Sequence, residues 1–276
     1  MTSDERAFLN AICAQPDDDT ARLVYADWLA ENGDSDRGEF IRCEVELART
    51  PPDSDTERRR RVLLERRDEL FKKHKAAWLA PFSPFATAGS FVRGFVQSLE
   101  VQASTFLQHA EQWFAITPLT RVKFTACRVW DPVTSTYTWW TEQLFASPLL
   151  SRLETIDLES LHLTALALEL FASHPDLSRL RELVLAGNEI RSEGAIVLAA
   201  MPQLKGLESL DLRNNGLSDR GARAIARSEH LNDFNNALLD YRIFRQKRLQ
   251  YSCLEEIYHS PRFTVSQPSS IASLIR

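Results

Sequence analysis

The stretch "RLVYADWLAENGD", residues 22–34, places Tyr25, Asp27, Trp28, Glu31 and Asp34 within thirteen positions. Aromatic rings beside carboxylates can make a sugar cleft, a metal site or a buried helix with acids at its rim. A helical wheel separates these. Leu23, Val24, Tyr25, Ala26, Trp28, Leu29 and Ala30 cover nearly the whole circumference, whereas Asp27 and Glu31 share one narrow strip. A helix apolar almost all round is a buried one. The expectation is a core helix, with its rim acids facing the basic helix that starts near residue 58. A carboxylate as close to a core as Asp27 needs a partner.

Other chemistry-bearing patterns are sparse. The chain has no GxxxxGK[ST], GxGxxG, HExxH or GxSxG. His74, His109, His162, His174, His230 and His259 are scattered, with no two at metal-ligand spacing. "DDDTARLVYAD" lacks the alternating acids of a calcium loop, so its first acids read as helix caps and dipole partners. No catalytic residue, metal ligand or cofactor is expected, and the chain reads as a non-enzyme.

Two further segments hold candidate binding residues. "RRRR" at 58–61, followed by Arg66, Arg67, Lys72, Lys73 and Lys75, has the charge to contact phosphates. Glu57, Glu65, Asp68 and Glu69 interleave with it. A solvated face, or pairing with the acidic N-terminal block, is the stronger reading, and nucleic acid is not the expected partner. "VWDPVTSTYTWW", residues 129–140, offers Trp130, Tyr137, Trp139 and Trp140. Exposed, these would form a carbohydrate or peptide platform. Buried, they would close the junction between two domains, and burial of most of them is the expectation.

The bulk properties bound the class. The 276 residues are 44% hydrophobic and 26% charged, with net charge −5, as in ordinary globular chains. Charge is uneven: residues 1–56 hold fourteen Asp/Glu against five Arg, whereas 57–75 hold nine Lys/Arg against four Asp/Glu. The longest apolar run, "AIVLAAM", falls far short of a membrane span. "MTSDERAFLN" has no signal-peptide pattern. Cys13, Cys43, Cys127 and Cys253 are far apart and form no disulfide framework. A reducing cytoplasm is the simplest expectation.

The second half repeats. "LETIDLESLHL" from 153, "LRELVLAGNEI" from 180 and "LESLDLRNNGL" from 207 start 27 residues apart and fit L-x-x-L-x-L-x-x-N/C-x-L. "LTRVKFTACRV" from 119 is a fourth copy, lying 34 residues before the next, so about seven residues are inserted. A weaker copy surrounds Leu99 and Val101, and a degenerate one starts at Phe234. Alternating leucines predict a strand with one buried face. Asn188 and Asn215 are placed to turn inward and satisfy the backbone of the following bend. Cys127 fits that slot, but Leu161 does not, which puts the ladder there in question. "SEGAIVLAAM" and "SDRGARAIARS" predict helices capped by Ser192 and Ser218. The signature and the "GA…LA" helices resemble ribonuclease-inhibitor-type leucine-rich repeats. The resemblance implies parallel strands on a concave face and helices on a convex one. The outward row is then Ser98, Glu100, Gln102; Arg121, Lys123, Thr125; Thr155, Asp157, Glu159; Glu182, Val184, Ala186; Ser209, Asp211, Arg213.

The first eighty residues predict helices. Thr2 and Glu5 have capping-box spacing. Gly33 is a stop for the second helix, Asp36 a cap for the third, and a long helix runs from about Thr56 to Leu79. Leu63, Leu70 and Ala77, with Leu64, Phe71 and Trp78, form its apolar stripe. Here "FLNAICAQPDDDTARLVYADWLAENGDSDRGEFIRCEVELA" and "KHKAAWLAPF" resemble the bacterial repeat-companion domain, which accompanies repeat arrays. "RGFVQSLEVQASTFLQHAEQWF" resembles the bridging segment of such proteins. The resemblance covers roughly residues 5–120 and implies architecture, not catalysis.

The expected protein is α/β: an N-terminal helical domain followed by a short leucine-rich-repeat solenoid. The divisions are a companion domain at 1–85, a bridging segment and cap repeat at 86–118, repeats at 119–228, and a degenerate repeat, cap and loose tail at 229–276. The expected role is non-catalytic binding of a protein partner on the concave row, at Glu100, Arg121, Lys123, Asp157, Glu159, Glu182, Asp211 and Arg213. The alternatives are an enzyme regulator, of GTPase-activator or inhibitor type, and nucleic-acid binding through 58–75.

Overall fold

The computed structural model describes residues 2–53, 56–83, 85–131, 136–231, 236–239 and 263–265, with backbone alone at 87–88, 129–131, 136–138, 236–239 and 263–265. The chain divides into two compact units. The first is residues 1–101 with 108–120, and the second is 102–107 with 121–276.

The first unit is built on four helices: α1 (Ser3–Ala14), α2 (Asp19–Glu31), α3 (Ser35–Arg49) and α4 (Glu57–Leu79). Each short helix starts on a side-chain oxygen. Thr2 accepts from the Glu5 amide, Asp18 from the Thr20 amide and Asp34 from the Arg37 amide. The cap of α3 is thus Asp34 and not Asp36. Asp36 lies within the first turn, where it is free to reach Lys73 and His74 on α4, both at 2.7 Å. Gly33 ends the α2 segment at φ +95°, as expected.

Helix α2 is not buried all round. Val24, Asp27, Ala30 and Glu31 are exposed, whereas Arg22 is only 1% exposed. Tyr25, Ala26 and Leu29 enter a core with Leu9, Ile12, Ile41, Val45 and Phe95. Arg22 is tolerated inside because its guanidinium reaches the Asp18 carbonyl and lies 5.8 Å from the Phe95 ring centroid. The partner of Asp27 is Arg42 on α3 at 2.5 Å, an exposed pair. It is not on α4, because α3 intervenes as the acidic neighbour of α4. Arg59 pairs with Glu46, Arg66 with Glu39, Arg67 with Glu44 and Lys73 with Asp36. Arg60 donates to the carbonyls of Leu47 and Thr50. The acidic and basic blocks therefore pack on one another, helix against helix. Along the α4 stripe Leu70 is fully buried, and Phe71 and Trp78 pack on Phe40.

The segment after α4 forms a hairpin that the sequence did not announce: β1 (Ala86–Val92) antiparallel to β2 (Phe95–Gln102). Its two-residue turn, Arg93 and Gly94, has φ of +50° and +85°. Positive values at both central positions match the right-handed twist of the strands. Residues of α3 hold this turn. Arg37 Nη2 donates to the Gly94 carbonyl at 2.6 Å, and the buried Glu44 carboxylate accepts the amides of Arg93 and Gly94. A side chain at Gly94 has no room, since its Cβ would sit 2.7 Å from Ile41 Cγ1. Next comes α5 (Ala103–Phe114), whose C-terminal part gives the first unit Trp113, with its indole N–H on the Pro81 carbonyl at 3.3 Å.

The second unit is a repeat. Strands β3 (Arg121–Ala126), β6 (Thr155–Asp157), β7 (Glu182–Val184), β8 (Ser209–Asp211) and β9 (Asn236–Leu239) pair in parallel and in register. A further strand, β10 (Phe263–Val265), pairs parallel with β9. Between β3 and β6 the inserted residues form a second hairpin, β4 (Arg128–Asp131) with β5 (Thr136–Trp139), and the short helix α6 (Thr141–Phe145). Helices α7 (Ala165–Ala172), α8 (Arg191–Ala199) and α9 (Asp219–Ala226) follow β6, β7 and β8. The 27-residue columns Leu153, Leu180, Leu207; Ile156, Leu183, Leu210; and Leu158, Leu185, Leu212 are at most 1% exposed. Each such side chain contributes about 1.5–3 kcal/mol by leaving water.

Hydrogen bonds reinforce the leucine columns. Asn188 Oδ1 accepts the amides of Leu161 and Leu163, both at 2.9 Å, and its Nδ2 reaches the Leu158 carbonyl. Asn215 likewise reaches back to Ile190 and Leu185. Each asparagine thus serves the preceding repeat, so Leu161 in the asparagine slot leaves its own bend satisfied. Cys127 is buried in its slot, and loss of hydration pushes its thiol up to about 12. On the helix side, His174 Nε2 meets the Ser147 carbonyl and Ser228 Oγ donates to Ala199. Ser192 is not a cap. It lies inside α8, where its hydroxyl pairs with the Ser218 hydroxyl at 2.6 Å. Ser218 does occupy the cap position of α9.

The degenerate repeat expected from Phe234 appears as β9, with Asn236 opposite Ser209. The remainder of the 229–276 expectation, a covering helix and a loose tail, lies outside the described residues.

Candidate functional site

The candidate face is the outward side of the second unit's parallel strands. Register sorts it into columns. One runs Arg121, Thr155, Glu182, Ser209, and the next runs Lys123, Asp157, Val184, Asp211. Two residues further along each strand lie Thr125, Glu159, Ala186 and Arg213.

The second and third columns are internally neutralised. Lys123 Nζ is 3.0 Å from Glu159 Oε2 and 3.6 Å from Asp157 Oδ2. Its ammonium is stabilised, chiefly by the Glu159 hydrogen bond. Asp157 shifts the other way from a simple ion pair. Burial raises its pKa and outweighs both Lys123 and the Glu159 amide, which donates to Asp157 Oδ1 at 2.9 Å. We take burial as decisive, because Asp157 is the more enclosed member of the pair. Asp211, 54 residues later, makes the same turn. Its Oδ1 accepts the Arg213 amide at 3.0 Å, and both its oxygens receive the Arg213 guanidinium. That contact holds the Arg213 pKa above its ordinary value, with a smaller contribution from Glu159. Charges therefore alternate across the face from Lys123 to Asp157 and Glu159, then to Arg213 and Asp211.

The first column is more available. Arg121 is exposed and makes no ion pair among the described residues. Glu182 is half-buried and accepts only the Thr155 hydroxyl, at 3.2 Å, among the described residues. Ser209 is half-buried. Of the expected row, Glu100 belongs to the first unit, on β2, where it is half-buried.

The aromatic segment departs from expectation. Trp139 is 47% exposed, with the Arg128 guanidinium 5.4 Å from its ring centroid. Trp140 is half-buried, its amide on the Cys127 carbonyl at 2.7 Å and its indole N–H without a partner among the described residues. The hairpin alternation turns Trp139 outward, because neighbouring strand residues face opposite sides. The side chains of Trp130 and Tyr137 lie outside the described residues.

Two features of the face were missed by sequence reading. Ser160, Gly187 and Asn214, again 27 apart, all have positive φ, at 59°, 70° and 57°. The small or amide residues at that repeat position were the available signal. The other is the Asp157 and Asp211 turn, whose signal was the same acid two repeats apart. Among the described residues no group of His, Cys, Asp and Glu could hold a metal, and no helix is long and apolar enough to cross a membrane.

A leucine-rich-repeat family model matches residues 178–199 and 206–226, which hold β7 with α8 and β8 with α9. The protein thus contains two leucine-rich repeats, a motif class that serves protein–protein interaction and is not itself catalytic. No curated protein matches the chain at a significant level.

Proposed function

We propose that the protein is a non-catalytic interaction module that binds a protein partner on the outward, concave face of a short leucine-rich-repeat solenoid. The observation that carries this is the contrast between columns. Lys123, Asp157, Glu159, Asp211 and Arg213 satisfy one another, whereas Arg121, Thr155, Glu182 and Ser209 form a row largely unspent on internal contacts. The five paired charges act as a rigid platform, and the first column supplies the direct contacts. A preformed sheet binds without an ordering cost, which favours affinity from a modest area. Repeats from 119 to 228 and helices of eight or nine residues support the ribonuclease-inhibitor type.

Residues 1–85 are read as a repeat-companion domain of the bacterial kind, with 86–118 as its bridge. The interlocked helices α1 to α4 support this reading. Nucleic-acid binding through 58–75 is disfavoured, since Arg59, Arg66, Arg67 and Lys73 are already paired with acids of α3. The test is capture from host lysate by the wild-type chain and by Arg121→Glu. The reading expects proteins retained by the wild type to be lost by the variant. Equal retention by both overturns it.

A further inference from the structure

The first unit encloses a cavity of about 290 Å³ walled by Trp78, Phe91 and Phe95. Arg37 lies on its wall, with its guanidinium carbon 4.7 Å from the Trp78 ring centroid and 5.5 Å from that of Phe95. Nη2 is used on the Gly94 carbonyl, while Nη1 is buried and has no hydrogen-bond partner among the described residues. Asp34 spends Oδ1 on the Arg37 amide, not on its guanidinium. Aromatic faces offset part of the cost of burying this cation, but they do not satisfy the N–H. Burial accordingly lowers the Arg37 pKa to about 10. Such a site is short of one carboxylate.

The same cavity is lined by two acids, Glu5 and Asp34. The Tyr25 hydroxyl donates to Glu5 Oε1 at 3.3 Å. Burial raises the Tyr25 pKa most, Glu5 and Asp34 raise it further, and Arg37 opposes them. Glu5, Asp34 and Arg37 therefore surround one phenol. A bare anion would meet two carboxylates here, and a bare cation would meet Arg37. A ligand carrying both charges on adjacent atoms, with an apolar body, fits all of them.

We propose that this cavity binds a free α-amino acid with a large apolar side chain. Its carboxylate takes the unpartnered N–H of Arg37, its ammonium faces Glu5 and Asp34, and its side chain packs on Trp78, Phe91 and Phe95. The assignment does not depend on the partner-binding reading of the repeats.

The test titrates the full chain with phenylalanine, N-acetylphenylalanine and phenylalaninamide, following NMR shifts of the Trp78 indole. Phenylalanine should bind saturably and at least about tenfold more tightly than either analogue, each of which lacks one charge. Arg37→Gln would disturb the hairpin turn, so the protein-side variant is Glu5→Gln, which keeps an acceptor for Tyr25. That variant should weaken phenylalanine and leave N-acetylphenylalanine unchanged. The proposal is overturned if either analogue matches phenylalanine, if the shifts avoid Trp78, or if no saturable shift appears.

Discussion

Asn188 stands 27 residues after Leu161 and accepts its backbone amide at 2.9 Å. The repeat period is therefore also a hydrogen-bond period: one side chain joins two turns of the fold. Buried backbone groups cost about 1–3 kcal/mol each when left unsatisfied. Asn188→Ala strands the amides of Leu161 and Leu163 and the carbonyl of Leu158. The expected loss is about 3 kcal/mol or more, read as a lower urea midpoint at unchanged slope. A midpoint within error of wild type would remove the ladder from the account.

Gly94→Ala and Gly33→Ala separate crowding from backbone strain. Both glycines have positive φ, but only at Gly94 would the new carbon meet Ile41, at 2.7 Å. Gly33 has nothing within 4 Å. The open site should lose about 1 kcal/mol, and the crowded one about 2–4 kcal/mol. Paired thermal melts check the difference.

Asp36 gives an acid dependence of known sign. Hydrogen bonds from Lys73 and His74 hold its pKa at about 2, below the ordinary carboxylate value. A depressed folded-state value stabilises the fold above the unfolded pKa. That stabilisation is lost as pH falls through the folded value. Melts across this acid range should show a shallower decline for Asp36→Asn, which also starts lower at neutral pH. Parallel wild-type and variant curves would count against the contact.

Charge reversal distinguishes two neighbours on β3. Lys123→Glu places a third carboxylate beside Asp157 and Glu159 and should destabilise by about 1 kcal/mol, limited by solvent screening. Arg121→Glu touches no ion pair and should leave the melt within about 0.5 kcal/mol. Equal destabilisation by both would mean that Arg121 has a structural role.

Much of this was legible in the sequence because it repeats at a fixed period. The strands at 155, 182 and 209, the inward asparagines and the helices that follow all came from one 27-residue pattern. Singular features were not legible. The β1–β2 hairpin rests on Arg37 and Glu44, some fifty residues away, which hold an Arg-Gly turn that no local alternation marks. Arg22 is buried and Val24 exposed on the same helix because Phe95 and the Asp18 carbonyl accommodate the guanidinium. On the candidate face the residue types were correct, but their pairing was not visible. Only the register of parallel strands sets Lys123 beside Asp157 and Glu159 while leaving Arg121 outside that cluster.

The central claim is that partners dock on the first strand column. A photo-crosslinking residue at Thr155, in the middle of that column, tests it most directly, with one at the 66%-exposed Leu166 of α7 as control. The account predicts that the Thr155 probe crosslinks a captured protein and the Leu166 probe does not. Crosslinking from Leu166 alone would contradict it.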